Sequence, residues 1–234
     1  MMGYFPTAWG KDGKPAYEFA VKPYFSSADP SLRNGIVPGL VISKANNAFI
    51  GNPGPHCGNL ATYPSGATSY ASNFKVFGAL NKAESAVTSF DRGSTIGAIP
   101  DGAASTIFMA EKYGACTAAA SIAGAPTNQG IPVQPPGSGG NLWAEPNLNE
   151  NAPFFAYPQG GNSAYSAGVG LMFQVQPNPF NQKCNPFRAS TPHVGGILVL
   201  MGDGCVRTVA PSISHSTWYA AVTADDGERL GPDW

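Results

Sequence analysis

The stretch HVGGILVLMGDGCVRTV, residues 193–209, carries the side chains of this chain best suited to chemistry. His193 opens it and Asp203 closes its first apolar run. Glu111, after the apolar TIFMA, is a second carboxylate that could join them. Imidazole and carboxylate together suit acid–base work or metal ligation. Each residue also has a structural reading. Asp203 precedes Gly204 between two β-type runs, where a hairpin turn accounts for it. His193 follows Thr191-Pro192 and precedes Gly195-Gly196, a place where an imidazole can bond a loop carbonyl, hydroxyl or carboxylate. A glycine pair there lets another backbone approach closely. Glu111, expected on one strand face with Ile107 and Met109, calls for an ion-pair partner such as Arg188. The structural reading leads for all three, so no catalytic residue, metal or cofactor is assigned. Ser-His-Asp catalysis lacks its GxSxG elbow, and the chain has only three histidines, His56, His193 and His215. Phosphate-loop and dinucleotide fingerprints are absent too.

The elements that must position these residues follow from pattern. Ile197–Met201 and Val206–Val209 flank Asp203-Gly204, a strong hairpin signal, because a two-residue turn needs positive φ at both positions. Such a turn sets Met201 opposite Val206, Leu200 opposite Arg207 and Val199 opposite Thr208. Val199, Met201, Val206 and Thr208 then share one face, and Leu198, Leu200, Arg207 and Val209 the other. Ser214 caps a short helix over HSTWYAAV, with Trp218 and Val222 one turn apart. TIFMAEKY reads as a strand after the turn Pro100-Asp101-Gly102. ATSYASNFKVFGAL (67–80) also reads as a strand, with Tyr70, Phe74 and Val76 evenly spaced. A further strand is expected within GLVISKANNAFI, and Asp29-Pro30 marks a turn.

Residues 117–183 show little periodicity. Their aromatics argue for an ordered excursion packed on the sheet, since disordered segments are aromatic-poor. Trp143, Phe154, Phe155, Tyr157 and Tyr165 anchor that excursion; their functional alternative is a sugar-binding platform.

Composition sets the class. Charged residues make up 12% of the 234 residues, against about 25% in a typical globular chain. The net charge is −1, which offers no footprint for nucleic acid. Gly (29) and Pro (22) penalise helix interiors, favouring strands joined by long loops. The expected fold is therefore α+β: a mostly antiparallel sheet, long ordered Gly/Pro-rich loops and short helices, in a single domain over 1–234. Four cysteines, Cys57, Cys116, Cys184 and Cys205, form no CxxC pair, so zinc-ribbon and thioredoxin readings have no support. They allow three full pairings, among which spacing does not choose, and four free thiols are the bland alternative. The expected bridge is Cys116–Cys184, because it would tie the base of the 117–183 excursion. Cys205 flanks a turn that the hairpin already fixes and is expected to stay unpaired or to take Cys57.

The order of these landmarks resembles a known family. His193, nine residues, then Asp203-Gly204 matches the signature of a large bacterial family of prepilin-like proteins of unknown function, named for a processing-associated domain with that spacing. Residues 184–234 resemble its C-terminal block almost throughout. IPDGAASTIFMAEKYGAC resembles its segment running from Asp-Gly to a Glu, and ATSYASN its Thr-Ser-Tyr-x-x-Asn segment. YFSSADPS resembles its Cys-Pro-Ser-Asp-Pro segment, with Ser26 where cysteine usually stands. The resemblance implies a pseudopilin-like globular head, exported and displayed at the cell surface or in a filament, related to type IV pilin and type II secretion components. It implies a non-enzymatic protein acting by self-association. Family members begin with a basic leader and a long apolar helix, so membrane attachment would come only through such a helix, which this sequence does not display. The alternative function is an extracellular solute- or glycan-binding module using aromatics of 141–165.

Overall fold

The computed structural model describes residues 18–41, 62–81, 87–89, 91–93, 95–116, 139–144, 152–156, 172–225 and 227–234. In chain order its strands are β1 (Ile36–Val41), β2 (Thr62–Gly66), β3 (Tyr70–Asn73), β4 (Ala79–Leu80), β5 (Val87–Ser89), β6 (Ile107–Glu111) and β7 (Ala115–Cys116). They continue with β8 (Gly139–Gly140), β9 (Phe154–Phe155), β10 (Gln174–Val175), β11 (Ser190–Thr191), β12 (Ile197–Met201) and β13 (Val206–Val209). Among the described residues, three α-helices, α1 (Phe74–Phe77), α2 (Phe180–Lys183) and α3 (His215–Val222), and two 3-10 turns, Lys22–Tyr24 and Ile96–Ala98, accompany them. The fold is α+β and mostly antiparallel, as the composition implies.

The centre is a five-stranded sheet in the order β13-β12-β6-β3-β9, antiparallel except for the β3–β9 pair. One face buries Ile107, Ala110, Ile197, Val199, Met201 and Val209 against Trp218, Ala221 and Val222 of α3 and against Phe155 and Phe173. Apolar burial of this size is what holds a short, Gly-rich set of strands together. Ser214 caps α3 as expected, accepting the Thr217 N–H at 3.3 Å.

Several expectations need correction. The hairpin closes one residue earlier than a two-residue turn would. Leu200 faces Val206, Val199 faces Arg207, Leu198 faces Thr208 and Ile197 faces Val209. The Met201 N–H donates to the Cys205 carbonyl and the Gly204 N–H to the Met201 carbonyl, so the loop is Gly202-Asp203-Gly204. Gly204 at φ +87° supplies the left-handed residue of a type I turn with a bulge. That shift exchanges the faces of β13: Val206, at 67% exposure, turns outward and Val209 turns into the core.

β6 differs too. Its pairing slips between Met109 and Ile107, leaving Phe108 as the extra residue. Ile107 therefore joins Ala110 in the core, and Glu111 keeps a face with Met109 alone. The stretch 67–80 is not one strand. It holds β3 and β4 with α1 between them, because the Asn73 side chain accepts the Lys75 N–H at 3.0 Å and starts the single turn of α1. β1 begins before the apolar run expected to form it, after an Asn34-Gly35 turn with φ of +54° and +77° between the bonded pair Arg33 and Ile36. Residues 42–61, Cys57 among them, lie outside the described residues.

Candidate functional site

Glu111 is the last residue of β6 and lies beside the start of β12, because the two strands run antiparallel. The β6–β12 ladder ends at Ala110 and Val199, and the Glu111 side chain takes over the next donor. Its Oε2 accepts the Leu198 N–H at 3.0 Å and the Thr191 hydroxyl at 2.6 Å. Its Oε1 lies 3.2 Å from His193 Nε2. The carboxylate side chain is 4% exposed and the imidazole 45%. The Thr191 Oγ1 also accepts the His193 N–H at 3.1 Å, so the loop 191–193 folds back on its own hydroxyl. β11, paired parallel with β10, holds Thr191 at that position.

His193 thus lies in ion-pair contact with a carboxylate within the domain. Glu111 does not pair with Arg188, whose Nε–H donates to the Met172 carbonyl instead. Asp203 lies at the opposite end of β12, at the exposed hairpin tip, where its Oδ1 accepts the Cys205 N–H at 2.9 Å. His193 and Asp203 therefore form no pair. The two glycines of the signature differ. Gly196, at φ +135°, backs onto β13 so closely that a Cβ would overlap the Val209 carbonyl. Gly195 has open space around it.

Polar residues of low sequence contrast complete the site. Asp29 is 5% exposed and accepts four bonds, from the Ser31 N–H (2.9 Å) and hydroxyl (2.6 Å), the Ser69 hydroxyl (2.9 Å) and the Gly114 N–H (3.0 Å). Asp29 and Glu111 both line a shallow crevice too small to hold a water molecule. Tyr113 lines that crevice, and burial together with the Asp29 and Glu111 charges pushes its phenol up to about 12. Lys112 points its ammonium at the Ala152 and Phe154 carbonyls, at 2.7 and 2.9 Å, and burial pushes it down to about 7. Asn73 Nδ2 donates to the Ile107 and Val222 carbonyls, both at 2.7 Å, linking β6 to the end of α3. Asn141 Nδ2 donates to the Thr68 carbonyl at 2.7 Å. These residues were legible as polar, but sequence reasoning did not place them inside. For Asp29 and Asn73 the signal was their position in the resembling segments.

The arrangement sets a buried carboxylate, held by the Thr191 hydroxyl and the Leu198 N–H, against a half-exposed imidazole. Among the described residues no group of three or more His, Cys, Asp or Glu side chains could hold a metal ion.

Cys116 and Cys184 form a disulfide with Cα atoms 4.9 Å apart, tying β7 to the end of α2. Both cysteines are buried. Cys205 is free and exposed. The aromatics of 141–165 do not gather on one surface where they are described. Phe155 is in the core, Phe154 packs edge-on to Phe74 at 5.4 Å, and Trp143 Nε1–H donates to the Phe19 carbonyl at 3.0 Å. Tyr157 and Tyr165 lie outside the described residues.

Compared with protein-family models, curated proteins and solved structures, the chain finds no match.

Proposed function

We propose that this chain is the globular part of an exported, pseudopilin-like protein that acts without catalysis, by self-association at the cell surface or in a filament. The observation that carries the reading is the fate of the landmark residues. Asp29, Ser69, Asn73, Glu111 and His193 come from segments far apart in sequence, and their polar atoms are spent on backbone and on one another. Residues used this way specify a scaffold. A scaffold protein works through its surfaces, and β12 and β13 offer an apolar one: Leu198 is 37% exposed and Val206 67%. The buried disulfide fits maturation in an oxidising compartment. No helix among the described residues is long and apolar enough to cross a membrane, so anchorage would need a segment not described here.

The test is expression in a bacterial host from the gene with its upstream sequence intact. The reading expects the protein in surface or sheared-filament fractions, and concentration-dependent association of the purified chain by light scattering. A protein retained in the cytoplasm, and monomeric at all concentrations, would refute it.

A further inference from the structure

β6 is a central strand of the sheet and defines its two ends, Glu111 at one and Ile107 at the other, roughly 13 Å apart. Accessible charge divides between them. At the Glu111 end Lys22, Arg33 and Lys183 are exposed and Arg188 is half-buried. The Tyr24 carbonyl accepts the Ser69 N–H, Leu32 lies against Gly114, the disulfide ties α2 to β7, and Ser190 accepts the Tyr113 N–H, which places the four cations there. None of the four has an ion-pair partner among the described residues. Asp29 and Glu111 at this end are buried and bonded to the protein, which leaves Glu18 as the accessible acid.

The Ile107 end is acidic. Asp91, Asp203 and Asp225 are exposed there, and Asp101 and Glu228 are half-buried. Arg92 pairs with Asp225, and Arg229 is the other accessible base. The sequence carries the same division, for no acidic residue occurs between Glu150 and Asp203. The acidic end also holds an apolar hollow of about 70 Å³, bounded by Val76, Phe77, Ile96, Ile99 and Phe108. Asp91, Asp101 and Asp225 each adjoin a residue that lines it: Arg92, Pro100 and Ala224. Ile96 and Phe77 are exposed at its mouth. The hollow is well below the cavity of roughly 150 Å³ that takes benzene, so it suits a small branched side chain and excludes a ring. The basic end presents such a side chain: Val194 is 73% exposed, beside a Gly195 with open space around it.

We propose that the two ends form a head-to-tail interface between copies of this chain, in which Val194 of one copy enters the hollow at Ile96 of the next and the basic end faces the acidic rim. The inference rests on the self-association reading and names the surfaces for it. Charge complementarity argues for a second copy, because one chain carries both halves of the contact. Two like ends repel each other. The contact is therefore heterologous, and its repetition builds a ring or an open filament rather than a twofold dimer.

The full chain is tested by sedimentation. Val194→Asp sets a carboxylate against the acidic rim, and Ile96→Arg sets a cation at the mouth of the hollow against the basic end. Both sites are exposed, and thermal unfolding checks that each variant folds. Each variant alone is expected to associate roughly tenfold more weakly than wild type, or worse. Mixed in equal amounts, the two are expected to form a dimer that grows no further. The mixture holds one intact pair of ends, Val194 of the Ile96→Arg chain and the hollow of the Val194→Asp chain. Wild-type association is expected to weaken as salt rises. Variants that associate like wild type, a loss confined to one of them, a mixture no better associated than its components, or indifference to salt would overturn this interface and leave self-association standing. A wild-type chain monomeric at every concentration would overturn both.

Discussion

Replacing Glu111 should cost far more than replacing His193, although the two form one pair. Glu111 is buried and accepts two donors, the Leu198 N–H and the Thr191 hydroxyl, while its other oxygen lies 3.2 Å from His193 Nε2. In Glu111→Ala the Leu198 N–H loses its acceptor, and the Thr191 hydroxyl keeps only the Gly196 carbonyl at 3.3 Å. A stranded buried donor costs about 1–3 kcal/mol, so Glu111→Ala should lose about 2–4 kcal/mol once the space left behind is added. Glu111→Gln keeps a carbonyl that can serve both donors at the Oε2 position. Its amide can face an imidazole that switches tautomer, so the expected cost is about 1–2 kcal/mol. His193 is nearly half exposed, and water replaces its bond. His193→Ala should cost about 1 kcal/mol or less. Urea unfolding followed by tryptophan fluorescence gives the three values, and the core position of Trp218 makes the signal report the sheet–helix packing. If His193→Ala is as damaging as Glu111→Ala, or if Glu111→Ala costs under 1 kcal/mol, the account of the pair as a scaffold lock fails.

Gly196→Ala should destabilise by about 2–4 kcal/mol in the same assay, because a Cβ meets the Val209 carbonyl at a positive φ, while Gly195→Ala stays within about 0.5 kcal/mol. Gly204→Val should cost about 1–3 kcal/mol through its φ of +87°. Removing the disulfide with Cys116→Ala and Cys184→Ala frees a separation of 68 residues and should cost about 4 kcal/mol by chain entropy; calorimetric unfolding that finds less than about 1 kcal/mol would exclude that origin. Burial sets Lys112 near 7 in the folded chain against 10.5 when exposed, so the unfolded state binds more protons between those values. Stability should therefore fall as pH drops from about 10.5 to about 7 and level off below, and the wild-type minus Lys112→Met difference in unfolding free energy should carry that slope; a flat difference would show that Lys112 keeps its charge inside.

What the sequence disclosed depended on how local each determinant is. Asp-Gly between two β-type runs announces a hairpin because the turn needs its glycine within a few residues. Yet the same tripeptide, Gly202-Asp203-Gly204, admits a two-residue or a three-residue loop. The choice is made elsewhere: at Gly202 a Cβ would run into the Phe108 ring, and Phe108 is the residue that the β6 slip sets out of the ladder. One residue of loop length then decides whether Val206 or Val209 enters the core. The strand expected over 67–80 failed for a related reason. Even spacing of Tyr70, Phe74 and Val76 fits a strand, but Asn73 offers its side chain to Lys75 and turns the chain into a helix there. Asn34-Gly35, by contrast, is as local a turn signal as Asp-Gly, and it forms the turn between Arg33 and Ile36.

The buried polar residues were the least legible part, and their placement bears most on function. A hydrophobic pattern marks what goes inside by its apolarity, so Asp29, Asn73 and Asn141 read as surface until their donors and acceptors are located, and Glu111 reads as needing a partner without showing which. Only the tertiary structure brings Ser31, Ser69 and Gly114 to Asp29, or Thr191, His193 and Leu198 to Glu111. Each of these two carboxylates has both oxygens engaged by the protein itself: Asp29 by Ser31, Ser69 and Gly114, and Glu111 by Thr191, Leu198 and His193. Glu111, Thr191 and Leu198 thereby fix where β6, β11 and β12 meet.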